Sequence, residues 1–325
     1  MTATPLPPPA GGAAAPPHGQ PVYQALDSHE ITTWSPRTGF DRFSATLAEF
    51  VKAHWLKLLV AYMGIAVLAI SSNMLTDVVN AGIGGTFLAM TMVSLIPFLL
   101  VMGFVYVYDR TSKEPLPTLV LTFVLGALLA EISRAVNSSF GDAFGFFGPV
   151  FGGILAMFLV TGPIEEVSKW LSVRVHAYNL PSFDDVIDGA IYGIAAGAGF
   201  AWWENWSYIY QGVLNGANAT GTLEGAIAGG WGIVLIRGIG FLAHPVWAGI
   251  SGYYLALAKF NPEHRNALIA KGLLIPALMH GASNSYLTVV DALGVGEGAF
   301  WALLIVDYLF IFGCAAFLFN KMKKN

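Results

Sequence analysis

Four short stretches of this 325-residue chain place ionisable groups inside otherwise apolar sequence. The first is Gly162-Pro163-Ile164-Glu165-Glu166-Val167-Ser168-Lys169. On a helix Lys169 lies one turn from both Glu165 and Glu166, so one ammonium can neutralise either carboxylate. That spacing fits an interfacial salt bridge, and equally a general base beside a group that orients it. The second stretch is Phe200-Ala201-Trp202-Trp203-Glu204-Asn205. Its tryptophans, with Trp206, read as ordinary interfacial residues, but a carboxylate in an apolar helix needs a proton, a cation or a metal. The third and fourth are His244-Pro245 and His280-Gly281-Ala282-Ser283-Asn284. A lone buried histidine is usually a satisfied core residue; two at similar depth on consecutive antiparallel spans weaken that reading. Two imidazoles and a carboxylate suit a catalytic zinc site with an open position for water. A second carboxylate could then take the water's proton, and Asn284, one turn after His280, could donate to a developing oxyanion. The H-E-x-x-H pattern of soluble zinc proteases is absent.

The elements that must hold these groups are membrane helices. Apolar residues make up 55% of the chain and charged residues 11%, with a mean hydropathy of +0.62. Soluble domains carry about a quarter charged residues, so a water-soluble fold is excluded. Each charge at mid-bilayer costs at least about 2.5 kcal/mol, which is why the four stretches stand out. Eight runs are long enough to cross, at about 55–76, 83–108, 116–136, 147–174, 186–210, 228–258, 267–290 and 299–319. Runs 147–174 and 228–258 exceed one bilayer thickness and must tilt, break or project. With both termini cytoplasmic, all Lys and Arg except Arg134 and Arg237 fall on cytoplasmic segments or span ends. Arg237 should face the bundle and pair with Glu204 or Glu224. Gly189, Gly193 and Gly197, following Asp188, recur every four residues and form one smooth face for close helix packing. Residues 1–50 read as a Pro/Ala/Gly-rich cytoplasmic tail with a possible interfacial segment, and residues 51–325 as the membrane domain. The net charge of -4 offers no footprint for nucleic acid, and Cys314 as sole cysteine excludes an internal disulfide.

The motifs, taken in order, resemble the PrsW family of intramembrane metalloproteases, within the CPBP/Abi group that includes type II CAAX prenyl endopeptidases. The likeness begins at Asp109 to Glu114-Pro115 and runs through Glu165-Glu166-x-x-Lys169 and Phe183-Asp184-Asp185 to Tyr192-Gly193. It continues through Phe200 to Glu204-Asn205, Arg237 to His244, Gly252-Tyr253-Tyr254, and His280 to Asn284. The resemblance implies an all-helical endopeptidase of the bacterial cytoplasmic membrane that cuts membrane-anchored proteins or peptides, such as anti-sigma factors. It implies Glu165 as base, Glu166 and Lys169 as its support, and Glu204, His244 and His280 as groups that bind zinc or water. Asn205 and Asn284 complete the catalytic set, Asn284 as polar stabiliser. The span boundaries put Glu204 nearer the outer face than Glu165; either a tilted fifth helix closes that gap or one of the two roles is wrong. Two other functions use the same residues: a transporter with a proton relay, or a non-catalytic scaffold that kept the fold.

Overall fold

The computed structural model describes residues 71–108, 113–294 and 296–323, with scattered positions between 54 and 65. The expected tail and interfacial segment at 1–50, part of the span at 55–76, and residues 109–112 lie outside the described residues. All regular structure among the described residues is helical. Helix α1 is Gly84–Tyr108 and α2 is Leu116–Phe140, which a 3-10 segment, Gly141–Phe147, follows. Helices α3, Pro149–Ala156, and α4, Gly162–His176, are joined by a π-turn over Met157–Thr161. Then come α5, Val186–Thr220; α6, Leu223–Ile239; α7, Ala243–Phe260; α8, Arg265–Leu293; and α9, Glu297–Met322.

Five helical stretches among these residues are both long and apolar enough to cross a membrane. Their large exposed side chains are apolar, as with Leu99, Leu100 and Val107 on α1 and Ile305, Val306 and Leu309 on α9. Such an outer surface suits lipid rather than water. The chain is therefore a polytopic helical membrane protein. Helices α5 and α8 are long too, but they carry inward-facing polar residues of the site, which dilute their hydropathy.

At the centre lies α5, whose 35 residues span about 52 Å. Asp185 and Asp188 form a capping box at its start. Its glycine face works as the four-residue spacing predicts: a Cβ on Gly189, Gly193 or Gly197 would lie 2.2–2.3 Å from the carbonyl oxygen of Gly252, Ala248 or His244. The same antiparallel register continues along α6, where Gly212 meets Gly229 and Gly216 meets Gly225. Those contacts carry α5 to Thr220 instead of about 210. The outer loop expected at 211–227 shrinks to a turn at Gly221-Thr222, with Gly221 at φ 66° and Thr222 capping α6.

The two overlong spans both break. Proline lacks the N–H that would continue a helix, so the helix of the sixth span is interrupted just before His244-Pro245, at residues 240–242. In the fourth span the π-turn sits immediately before Gly162-Pro163 and absorbs the bond that Pro163 cannot make. A Cβ on Gly162 would lie 2.6 Å from the Ala277 carbonyl oxygen, so α4 packs on α8 nearly backbone to backbone.

Candidate active site

The first turns of α4 separate the two adjacent acids. Glu166 and Lys169 are fully buried, and their Oε1 and Nζ atoms are 2.6 Å apart. Lys169 Nζ also lies 2.8 Å from His244 Nδ1 and 4.6 Å from the centre of the Phe200 ring. The Glu166 carboxylate, neutralised by Lys169, accepts from His280 Nδ1 at 2.9 Å. With its proton on Nδ1, His280 presents a bare Nε2 to Glu165 Oε2, 3.5 Å away. Glu166 and Lys169 thus tie α4 to both histidine-bearing helices, while Glu165 points to a different partner. Its Oε1 accepts from Asn137 Nδ2 on α2 at 3.0 Å, and its Oε2 is buried with no hydrogen bond.

His244 enters from the first turn of α7, held against α5 at Gly197. Its Nε2 is 3.0 Å from Glu204 Oε2. Arg237, near the end of α6, reaches the same carboxylate oxygen at 2.9 Å, donates through Nε to Asn205 Oδ1, and lies over the Tyr208 ring. The expected pairing of Arg237 with Glu204 is what the fold makes. One cavity of about 470 Å³ is lined by Glu165, Glu204, His244, Asn284, Trp203 and Tyr208 among others. Because α5 runs on to Thr220, Glu204 falls near its middle, and it lines the same cavity as Glu165. The tryptophans depart from the interfacial reading for the same reason. Trp202 donates to the Thr91 carbonyl at 3.2 Å, Trp203 to Glu131 at 3.1 Å, and Trp206 packs edge-on to Phe87.

The donor atoms of Glu165, His244 and His280 all lie within 4.8 Å of one another. Two imidazoles and a carboxylate whose inward oxygen lacks a partner form a donor set that fits zinc. This group differs by one acid from the set implied by the family likeness, which paired the imidazoles with Glu204. Helix α2 supplies residues that the motifs do not name: Asn137 beside Glu165, and the Glu131–Arg134 ion pair that also receives Trp203. The sequence carries a trace of the latter, since Arg134 is one of two cations that the orientation leaves unassigned.

The sequence model described as PrsW family intramembrane metalloprotease matches residues 114–314. Protease PrsW of Shouchella clausii is 27% identical over 193 residues, covering 59% of this chain and 80% of that protein. Protease PrsW of Halalkalibacterium halodurans is 29% identical over 194 residues, 60% of this chain and 81% of that protein. That of Clostridioides difficile is 29% identical over 222 residues, 68% and 85% respectively. No solved structure matches at a significant level.

Proposed function

The chain belongs to the PrsW family of intramembrane metalloproteases, and from that premise we propose that it is a zinc-dependent endopeptidase acting on membrane-anchored proteins or peptides. The observation that carries this reading is the convergence of Glu165, His244 and His280 within 4.8 Å, beside a cavity inside the helical bundle. His244, His280 and Glu165 would hold the ion. Zinc there would supply Lewis-acid activation of water and of the scissile carbonyl. Glu166 keeps the His280 proton on Nδ1, and Lys169 neutralises Glu166. Glu204, oriented by Arg237, is the base. The two acids so exchange the roles that the family likeness implies, because Glu165 Oε2 has no hydrogen bond while Glu204 Oε2 is already paired with the Arg237 guanidinium.

In the reaction an attacking water loses a proton to Glu204 as its oxygen bonds to the scissile carbonyl carbon. Asn284 donates to the carbonyl oxygen as it gains charge. The carbon–nitrogen bond then breaks, and the proton on Glu204 passes to the leaving amine. Asn205 accepts from Arg237 and so helps to fix the guanidinium that orients Glu204. An anti-sigma-like regulator in the bacterial cytoplasmic membrane is the substrate class that the family points to.

Paired variants test the assignment. In detergent-purified protein, Glu165→Gln, His244→Ala and His280→Ala should each lose stoichiometric zinc together with cleavage of a membrane-anchored substrate. Glu204→Gln should keep zinc and lose about 10²–10⁴ in rate. Wild-type protein without zinc would refute the metal reading, and full activity in Glu204→Gln would remove Glu204 from the base role.

A further inference from the structure

Helix α2 contributes a side chain that neither the motifs nor the mechanism above uses. Asn137 lines the cavity, and its Nδ2 lies 3.0 Å from Glu165 Oε1. An ionised carboxylate can only accept, so the amide must turn its nitrogen toward Glu165. That choice leaves Asn137 Oδ1 buried with no hydrogen-bond partner. A buried carbonyl oxygen without a donor is costly, so the amide's orientation answers to Glu165 rather than to its own needs.

The consequence for Glu165 is geometric. Its two oxygens face different ways: Oε1 is held by Asn137, and Oε2 is directed toward His280 Nε2 at 3.5 Å. Rotating the carboxylate about its last bond would break the Asn137 contact. We propose that Asn137 is a positioning residue that holds Glu165 with Oε2 toward the imidazoles, so that the three donors form a cation site before any cation arrives. This inference rests on the reading of Glu165, His244 and His280 as ligands. The backbone of α2 is anchored independently of Asn137. Ser133 Oγ lies 2.8 Å from Ser168 Oγ on α4, and Glu131 accepts from Trp203 on α5. Loss of the amide should therefore leave α2 in place and release only the carboxylate.

The test measures zinc affinity of the full chain in detergent by competition with a chelating dye, and kcat and KM on a membrane-anchored peptide. The variants are Asn137→Leu, Asn137→Ala and, as a control for α2–α4 packing, Ser133→Ala. Residues that orient a ligand commonly account for about 10–100-fold in metal affinity or activity. Both Asn137 variants should lose about that much in zinc affinity and in kcat, with KM within about twofold. The alanine, which adds no bulk, keeps the test valid should the leucine variant misfold. Ser133→Ala should bind zinc as the wild type does. Wild-type zinc affinity in the Asn137 variants would overturn the proposal alone, as would an equal loss in Ser133→Ala. A wild type that binds no zinc would overturn the ligand reading and this inference with it.

Discussion

Arg237 brings a guanidinium into the bundle and divides it among Glu204, Asn205 and the face of Tyr208. A charge in such surroundings is tolerable because Nε and Nη2 each have an acceptor, one of them a carboxylate, and removing one side leaves the other uncompensated. Arg237→Leu should therefore leave Asn205 Oδ1 unmet and take from Glu204 its guanidinium partner, and turnover should fall at least about tenfold while the protein still inserts. Arg237→Lys should recover part of that loss, since an ammonium can reach one acceptor but cannot span both as a planar fork does. Turnover compared at equal monodispersity decides this. Normal activity in Arg237→Leu would mean that the guanidinium merely reaches toward the membrane surface.

Helix packing places His244 as firmly as its own side-chain contacts do. A Cβ on Gly197 would stand 2.3 Å from the His244 carbonyl oxygen and 2.7 Å from its carbonyl carbon. Those atoms are backbone and cannot swing aside, so a side chain at Gly197 must push the start of α7 away from α5. Gly197→Val should consequently lose zinc and lower the thermal unfolding midpoint in detergent. Gly313→Ala on α9, where nothing lies within 4 Å of the new Cβ, should leave both unchanged or slightly raise the midpoint, since alanine favours helix. Equal behaviour of the two variants would show that close approach at Gly197 is not what holds the histidine.

For the whole molecule, the alternation of helices fixes which connections share an end. With alternate crossings, the turns at 81–83 and 221–222 and the helix end at Gly294 share one end of the bundle's path, and 177–185 and 261–264 the other. By the distribution of Lys and Arg, the second end should face the cytoplasm. Reporter fusions after residues 50 and 325 should read cytoplasmic, and one after Gly221, at the tip of the α5–α6 hairpin, external. A cytoplasmic signal at 221 would invert the topology.

The sequence alone determined that this is a helical membrane protein, and marked Glu165, Glu204, His244 and His280 as candidates for its site. Charges are so costly in hydrocarbon that their bare presence in apolar runs marks function. The four-residue recurrence of Gly189, Gly193 and Gly197 was legible for a similar reason, because helical periodicity assigns them one face whatever they touch. Tertiary structure alone decided which of the adjacent acids faces which partner. Spacing shows that Glu165 and Glu166 share a turn with Lys169, but not how α4 is rotated against α2 and α8. That rotation sends Glu166 to Lys169 and His280, and Glu165 to Asn137, 28 positions earlier in the chain. It also decides which carboxylate joins the imidazoles, because azimuth about a helix axis is set by the neighbours it packs against, and no local pattern records them.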